Sequence, residues 1–375
     1  MKVYLDNAAS TMLHPEALEA MLPFLQNNFG NPSSIHSFGR GNKAAIEFSR
    51  KNIAKKFNVK PNEIYFCSSG TEANNIALKL AVRDLGVTRI ITTNIEHKCV
   101  LNTSLYLEKQ GKIQLAFVRT NQFGQADLSH LEELLAQQSN KTLVSLMHIQ
   151  NELGSINDLV KIGQLCEVYE ALFHSDTVQS IGHYHIDFEA AKLDFVSASA
   201  HKFNGPLGVG FLYKRTGLGL DSWLHGGGHE RNLRSSTENV PGIIGMSKAL
   251  DLAYESLDTD FKTILNLKNR LKEGLQSIFK EVVFNEAPDS STYTILSTSF
   301  PKDTFQDTFL IELDLAGIAV SAGSACASGA AIASPVLTYL NFDLKQTTLR
   351  FSFSIFNTLE DINYVLDFLK KFKSS

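Results

Sequence analysis

No apolar run in this 375-residue chain is long enough to span a membrane. The opening stretch, MKVYLDNAAST, places Asp6 where a secretory leader would need apolar residues, so a cytosolic location is expected. Cysteine is scarce. The four residues Cys67, Cys99, Cys166 and Cys326 form no CxxC, and no Cys/His pair has zinc spacing. That argues against a disulfide framework or a structural zinc, and free thiols are expected. The pair His183–His185 lacks a third ligand and reads as loop polarity, so no metal site is expected. An excess of either charge is also missing. A net charge of −4 and a pI near 6.3 give no ground for nucleic acid or an anionic membrane as a partner. There are no internal repeats and no low-complexity tail.

What is present is an ordinary globular composition, 43% apolar and 20% charged, long enough for one large domain and a smaller one. After a short strand at Val3–Leu5 and a helix from Pro15 to about Leu25 comes a loop, Asn27–Gly41, rich in Gly, Asn, Ser and Pro. A loop this long inside a compact domain is usually functional. A helix is expected from Asn42 to about Phe57. Strand and helix patterns then alternate. Strands are expected at Glu63–Cys67, Thr88–Thr92, Ile113–Val118, Thr142–His148, Leu172–Ser175, Phe195–Ser199 and Val209–Tyr213. The intervening helices are expected at Glu72–Leu85, His97–Gln110, Leu128–Ala136 and Asp158–Tyr169. Repeated β-α-β units imply a mostly parallel sheet with helices on both faces, whose ligand site lies beyond the carboxyl ends of the strands. One long helical pattern, Met246 to about Phe279, bridges into a smaller α/β unit that closes with a helix from Leu359 to Phe372.

The chemistry-bearing residues sit at those strand ends. Lys202, in SASAHKFNGPLGVG, follows an apolar strand directly. A lysine there is either an ordinary loop lysine or a candidate Schiff-base amine. Gly70 and Thr71 open a helix, and offer either a phosphate cradle or a simple cap. His97 is open to three readings: an interior histidine, an acid/base group, or an aromatic plate under a planar cofactor. Asp176 follows an apolar strand and needs a partner, which a protonated pyridine nitrogen would satisfy. The segment Gly226–Arg231 is expected at the same end of the sheet. Converging on one crevice, these groups supply the parts that a pyridoxal-phosphate site needs.

The motifs YLDNAAST, FGNPSSIHSFGR, SSGTEANN, IEHKCVL, NELGSI, HSDTVQSIG, SASAHKFNGPLGVG, GGGHERNLRSSTENVPGI, VSAGSACASG and LRFSFSIFNTLEDI run the whole length. In that order they resemble the cysteine desulfurases of the class V aminotransferase superfamily, of the NifS/IscS-like type. The resemblance implies fold type I, the fold of pyridoxal-phosphate-dependent transferases. Its seven-stranded-type, mostly parallel sheet would belong to a large cofactor-binding domain at residues 13–250. A small domain would comprise residues 1–12 and 251–375.

By position, Lys202 resembles the Schiff-base lysine and Asp176 the carboxylate paired with the ring nitrogen. Gln179 would bond the ring oxygen, and His97 would stack on the ring and help move protons. Gly70, Thr71, Ser199 and His201 would hold the phosphate, with Thr237 reaching in from a partner subunit of a homodimer. Asn151 would lie near cofactor and substrate, and Arg350 would clamp the carboxylate of L-cysteine. Cys326, in a loop of small residues, resembles the nucleophile that takes sulfur as a persulfide and passes it to an acceptor protein, in iron–sulfur cluster assembly or tRNA thiolation. Cys67, Cys99 and Cys166 read as inert packing residues. A selenocysteine lyase, another class V enzyme, or a non-catalytic scaffold binding a sulfur acceptor are the rival readings. The chain departs from the usual pattern at Ala200, Leu207, Ser236 and Ile332–Pro335. None of these changes removes a catalytic group.

Overall fold

The structure is a computed structural model, which describes residues 1–137, 140–302, 304–305, 308–322, 334–343 and 345–374. A short strand β1 (Val3–Tyr4) precedes the main sheet. That sheet comprises β2 (Ile64–Cys67), β3 (Arg89–Thr92), β4 (Gln114–Phe117), β5 (Thr142–Ser145), β6 (Leu172–Asp176), β7 (Phe195–Ser199) and β8 (Gly210–Lys214). Its order is β2-β8-β7-β6-β5-β3-β4, and only β8 runs antiparallel to its neighbours. Alternate residues of one strand enter different cores. Ile64 and Phe66 join one apolar cluster, while Tyr65 and Cys67 join another. Period-two alternation with apolar side chains on both sides is what a sheet covered on both faces requires.

The later strands are β9 (Val283–Phe284), β10 (Ile295–Ser299), β11 (Ile318–Ala319) and β12 (Thr348–Ser352). β10 is central in an antiparallel sheet, β12-β10-β9, and β1 pairs parallel with β11. The first residues of the chain thus join the last third in one apolar cluster: Val3 and Leu5 pack with Leu271, Phe351 and Leu369. The Leu257–Ile278 helix lays Ile264, Leu267, Leu271 and Leu275 on that cluster. Gly274 brings the helix close to Leu366, because a Cβ there would stand 2.3 Å from a Leu366 methyl.

Two expectations need correction. The long helical pattern from Met246 is two helices, Val240–Glu255 and Leu257–Ile278. Ser256 separates them. Its hydroxyl bonds back to the Leu252 carbonyl at 3.0 Å and to Asp260 at 2.5 Å, a local alternative to the helix ladder that serine offers. Second, the helix expected at Asn42 starts at Ser37. The His36 ring caps it by accepting the Gly39 N–H at 3.3 Å. Gly39 looked like a loop glycine. It is buried because the loop folds onto it, and a Cβ would stand 2.4 Å from the Asn31 and Ser34 carbonyls.

Candidate active site

The carboxyl ends of β2, β3, β5, β6 and β7 open into a cavity of about 600 Å³. Ten expected site residues line it: Gly70, Thr71, His97, Asn151, Asp176, Gln179, Ser199, His201, Lys202 and Arg350. Thr237 does not line the cavity in this chain and is exposed. Cys326 lies outside the described residues. The Gly226–Arg231 segment, expected here, lies elsewhere. Its Glu230 forms a buried bidentate pair with Arg50, at 2.7 and 2.8 Å, and accepts the Phe66 N–H. The His183–His185 pair also serves the fold. His183 sits 3.0 Å from the Lys202 carbonyl, and no metal-binding cluster occurs among the described residues.

Each side chain is positioned by its element. Asp176 ends β6. Its Oδ1 accepts the Val178 N–H at 3.0 Å and its Oδ2 accepts the Asn74 amide at 2.7 Å. Lys202 ends a single 3-10 turn after β7, and its Nζ donates to the Ala8 and Ala9 carbonyls at 2.6 and 2.7 Å. Gln179 donates to the same Ala8 carbonyl at 2.9 Å. The N-terminal segment is therefore a wall of the site. Gly70 opens a helix whose first backbone N–H groups have no partner within the helix. A Cβ at Gly70 would stand 2.5 Å from Val178 Cγ2, so only glycine allows this approach.

His97 caps the Lys98–Lys109 helix by accepting the Cys99 N–H on Nδ1 at 3.2 Å, which leaves the proton of the neutral ring on Nε2. Burial pushes this imidazole below its ordinary value, with Lys202 and Lys98 adding to the effect and Asp176 opposing it. Burial and the adjacent Lys202 push His201 down to about 4, so it too is neutral near pH 7.

Arg350, on β12, crosses to the cavity. Nη2 pairs with Asp6 at 2.8 Å and Nη1 donates to the Asn151 carbonyl at 2.8 Å. Its Nε is buried and has no partner among the described residues. An arginine fixed by two anchors with a donor to spare is preorganised for an anion.

Several contributing residues were not anticipated. Asp6 holds Arg350 and also accepts the Ser321 hydroxyl at 2.9 Å. Glu152 accepts the Ser334 hydroxyl at 2.5 Å, and burial pushes its carboxyl up. Asn74 and Glu96 are buried and line the cavity. Cys99, read as inert packing, also lines it, with its sulfur 2.9 Å from His97 Nδ1. Asn74 carried one usable signal: a polar residue on the apolar face of a strongly patterned helix must bond something inside the fold.

The family model for aminotransferase class-V matches residues 3–365, and the chain belongs to that family. Within it the chain belongs among the cysteine desulfurases. It is 40% identical to the cysteine desulfurase IscS of Clostridium botulinum, over 99% of this chain and 94% of that one. Identity to the cysteine desulfurase IscS of Methanosarcina thermophila is 40%, over 97% and 90%. Among solved structures, a NifS-like protein superposes with a TM-score of 0.92 at 35% identity, over the full length of both chains. A structure titled as SspA in complex with cysteine matches with a TM-score of 0.84 at 29% identity, over 95% of this chain and all of that one.

Proposed function

We propose that this chain is a pyridoxal-phosphate-dependent cysteine desulfurase, which converts L-cysteine to L-alanine and carries the sulfur as a persulfide on Cys326. The observation that carries the reading is the single cavity where Lys202, Asp176, His97 and Arg350 meet beside the Gly70 helix start. The residues present fit the cofactor. Gly70 and Thr71 line the cavity at the start of a helix whose first backbone N–H groups have no partner within it, and helix N-termini favour phosphate. Asp176 is a buried carboxylate lining the same cavity, where a ring nitrogen can be paired. When bound, pyridoxal phosphate supplies an electron sink for the substrate α-carbon.

The chain's own groups do the rest. Gly70, Thr71, Ser199 and His201 hold the phosphate, joined by Thr237 of a second copy in a homodimer. Asp176 pairs with the ring nitrogen, Gln179 bonds the ring oxygen and His97 covers the ring face. Arg350, steadied by Asp6, binds the substrate carboxylate with Asn151 alongside. The Lys202 amine moves the proton at the substrate α-carbon. The Cys326 thiolate attacks the substrate sulfur. An S–S bond forms and the C–S bond breaks. Its electron pair stays on the substrate carbon, which then takes a proton, so alanine leaves. An acceptor protein in the cytoplasm takes the terminal sulfur.

The test is direct. Purified protein reconstituted with pyridoxal phosphate should be yellow and should release alanine from cysteine. Lys202→Ala should lose the visible band. Cys326→Ser should stop turnover. Wild-type protein that takes up no cofactor, or a Cys326→Ser variant with wild-type turnover, would overturn the reading.

A further inference from the structure

Asn74 lies on the inner face of the Gly70–Asp84 helix and is fully buried. Asparagine is a poor helix-interior residue, because its amide competes for backbone groups. Here every hydrogen-bonding site of that amide is used. Oδ1 accepts the Ser197 hydroxyl at 2.5 Å and faces His174 Nε2 at 3.0 Å. Nδ2 donates to Asp176 Oδ2 at 2.7 Å and to the Cys99 sulfur at 3.1 Å. Two acceptor contacts and two donor contacts exhaust an asparagine side chain.

The directions of these bonds follow from one constraint. A carboxylate facing an amide needs the amide's NH₂ side, so Oδ1 must turn to His174. His174 must then carry its proton on Nε2. Its Nδ1 therefore accepts from the Ser145 hydroxyl at 2.8 Å. Burial pushes His174 down to about 3, so the ring stays neutral and keeps this one tautomer. Hydroxyl, imidazole and amide thus donate in sequence toward Asp176, and such chains polarise each other in the same sense. On the other branch the Cys99 sulfur, held by Nδ2, sits against His97 Nδ1. One amide therefore ties together two residues that line the cavity, Asp176 directly and His97 through Cys99.

We infer that Asn74, backed by His174, is a positioning residue that sets Asp176 and His97 in register for the cofactor ring. This rests on the cofactor reading above. Asn74 itself does no chemistry. It removes the freedom of two groups that must flank one flat ligand.

The experiment uses full-length apoprotein and pyridoxal phosphate, reading the dissociation constant and the circular dichroism of the visible band. Asn74→Ala should weaken binding about tenfold or more, the worth of a charge-assisted hydrogen bond, and should change the visible dichroism. His174→Gln keeps one donor and one acceptor and should stay within roughly threefold of wild type. His174→Phe fills the space without either group and should move as Asn74→Ala does. Near-ultraviolet dichroism of each apoprotein reports folding. A folded Asn74→Ala with wild-type affinity and dichroism overturns the inference. If that variant does not fold, His174→Gln and His174→Phe decide, and equal behaviour of those two overturns it. Wild-type protein that takes up no pyridoxal phosphate overturns the cofactor reading, and this inference with it.

Discussion

Glu96 should make the stability of this protein fall as pH rises through neutrality. It sits in the turn after β3 and is 4% exposed. Its Oε1 accepts the Met147 N–H at 2.9 Å and the Thr93 hydroxyl at 3.3 Å. Its Oε2 is buried and has no partner among the described residues. Burial, reinforced by the nearby Asp176, pushes the carboxyl from 4.5 up to about 8. Below 4.5 both folded and unfolded chains hold the proton. Between 4.5 and about 8 only the folded chain holds it, so stability falls as pH rises across that window. The stabilising contribution is complete below the lower value and lost as pH passes the upper one. At about 1.4 kcal/mol per unit, the loss is on the order of a few kcal/mol.

Glu96→Gln keeps the Oε1 acceptor and has no proton to release. The variant should match wild type at about pH 5 and be the more stable protein at about pH 9. Urea unfolding of both apoproteins across that range, at one protein concentration, measures the gap. A gap that stays constant with pH would refute the assignment of a buried, proton-holding carboxyl.

Three further outcomes follow from the same structure. Arg50→Met should cost about 3–5 kcal/mol in urea unfolding, because it leaves Glu230 buried without its cation. The double variant Arg50→Met/Glu230→Met should recover part of that loss. Gly70→Ala should leave the fold intact and weaken pyridoxal-phosphate binding roughly tenfold by equilibrium dialysis, since the new methyl would meet Val178. Arg350→Lys keeps the charge but cannot reach Asp6 and the Asn151 carbonyl as a planar fork does. Its KM for cysteine should rise by about tenfold or more, and an unchanged KM would count against the carboxylate clamp.

The strands were legible because both sheet faces are buried. Phe195–Ser199 is a continuous apolar and small-residue run whose bounds match the observed strand, and the Leu128–Ala136 helix also matches. Boundaries slipped where a side chain intervenes in the backbone ladder. The Ser256 hydroxyl and the His36 ring are such cases, and neither leaves a mark in hydrophobic periodicity.

The site divides along similar lines. Asp176 was legible because a polar residue directly after a buried strand must be answered by something. Lys202 and His97 were legible by converging with it at the same end of the sheet. Asp6, Asn74 and Glu96 were not, for a different reason. Asp6 meets Arg350 across 344 positions, and Asn74 meets Asp176 across 102. Nothing local marks Asp6 as more than a turn residue, and the one local mark on Asn74, its place on the apolar face of its helix, does not say which group it meets. The place of Cys99 in the cavity wall was missed because its helical position was weighed and its neighbour two residues back was not. Its sulfur belongs to the cavity only because His97 caps that helix and turns its ring onto the first turn. The residues that carry chemistry are thus marked by where a strand ends. The residues that aim them are marked only by being polar where the pattern demands apolar, and Asn74 is the clearest case. An amide on the apolar face of a helix is tolerated when the fold supplies a partner for every one of its hydrogen-bonding sites. In this fold one of those partners is the carboxylate that the proposed reaction depends on.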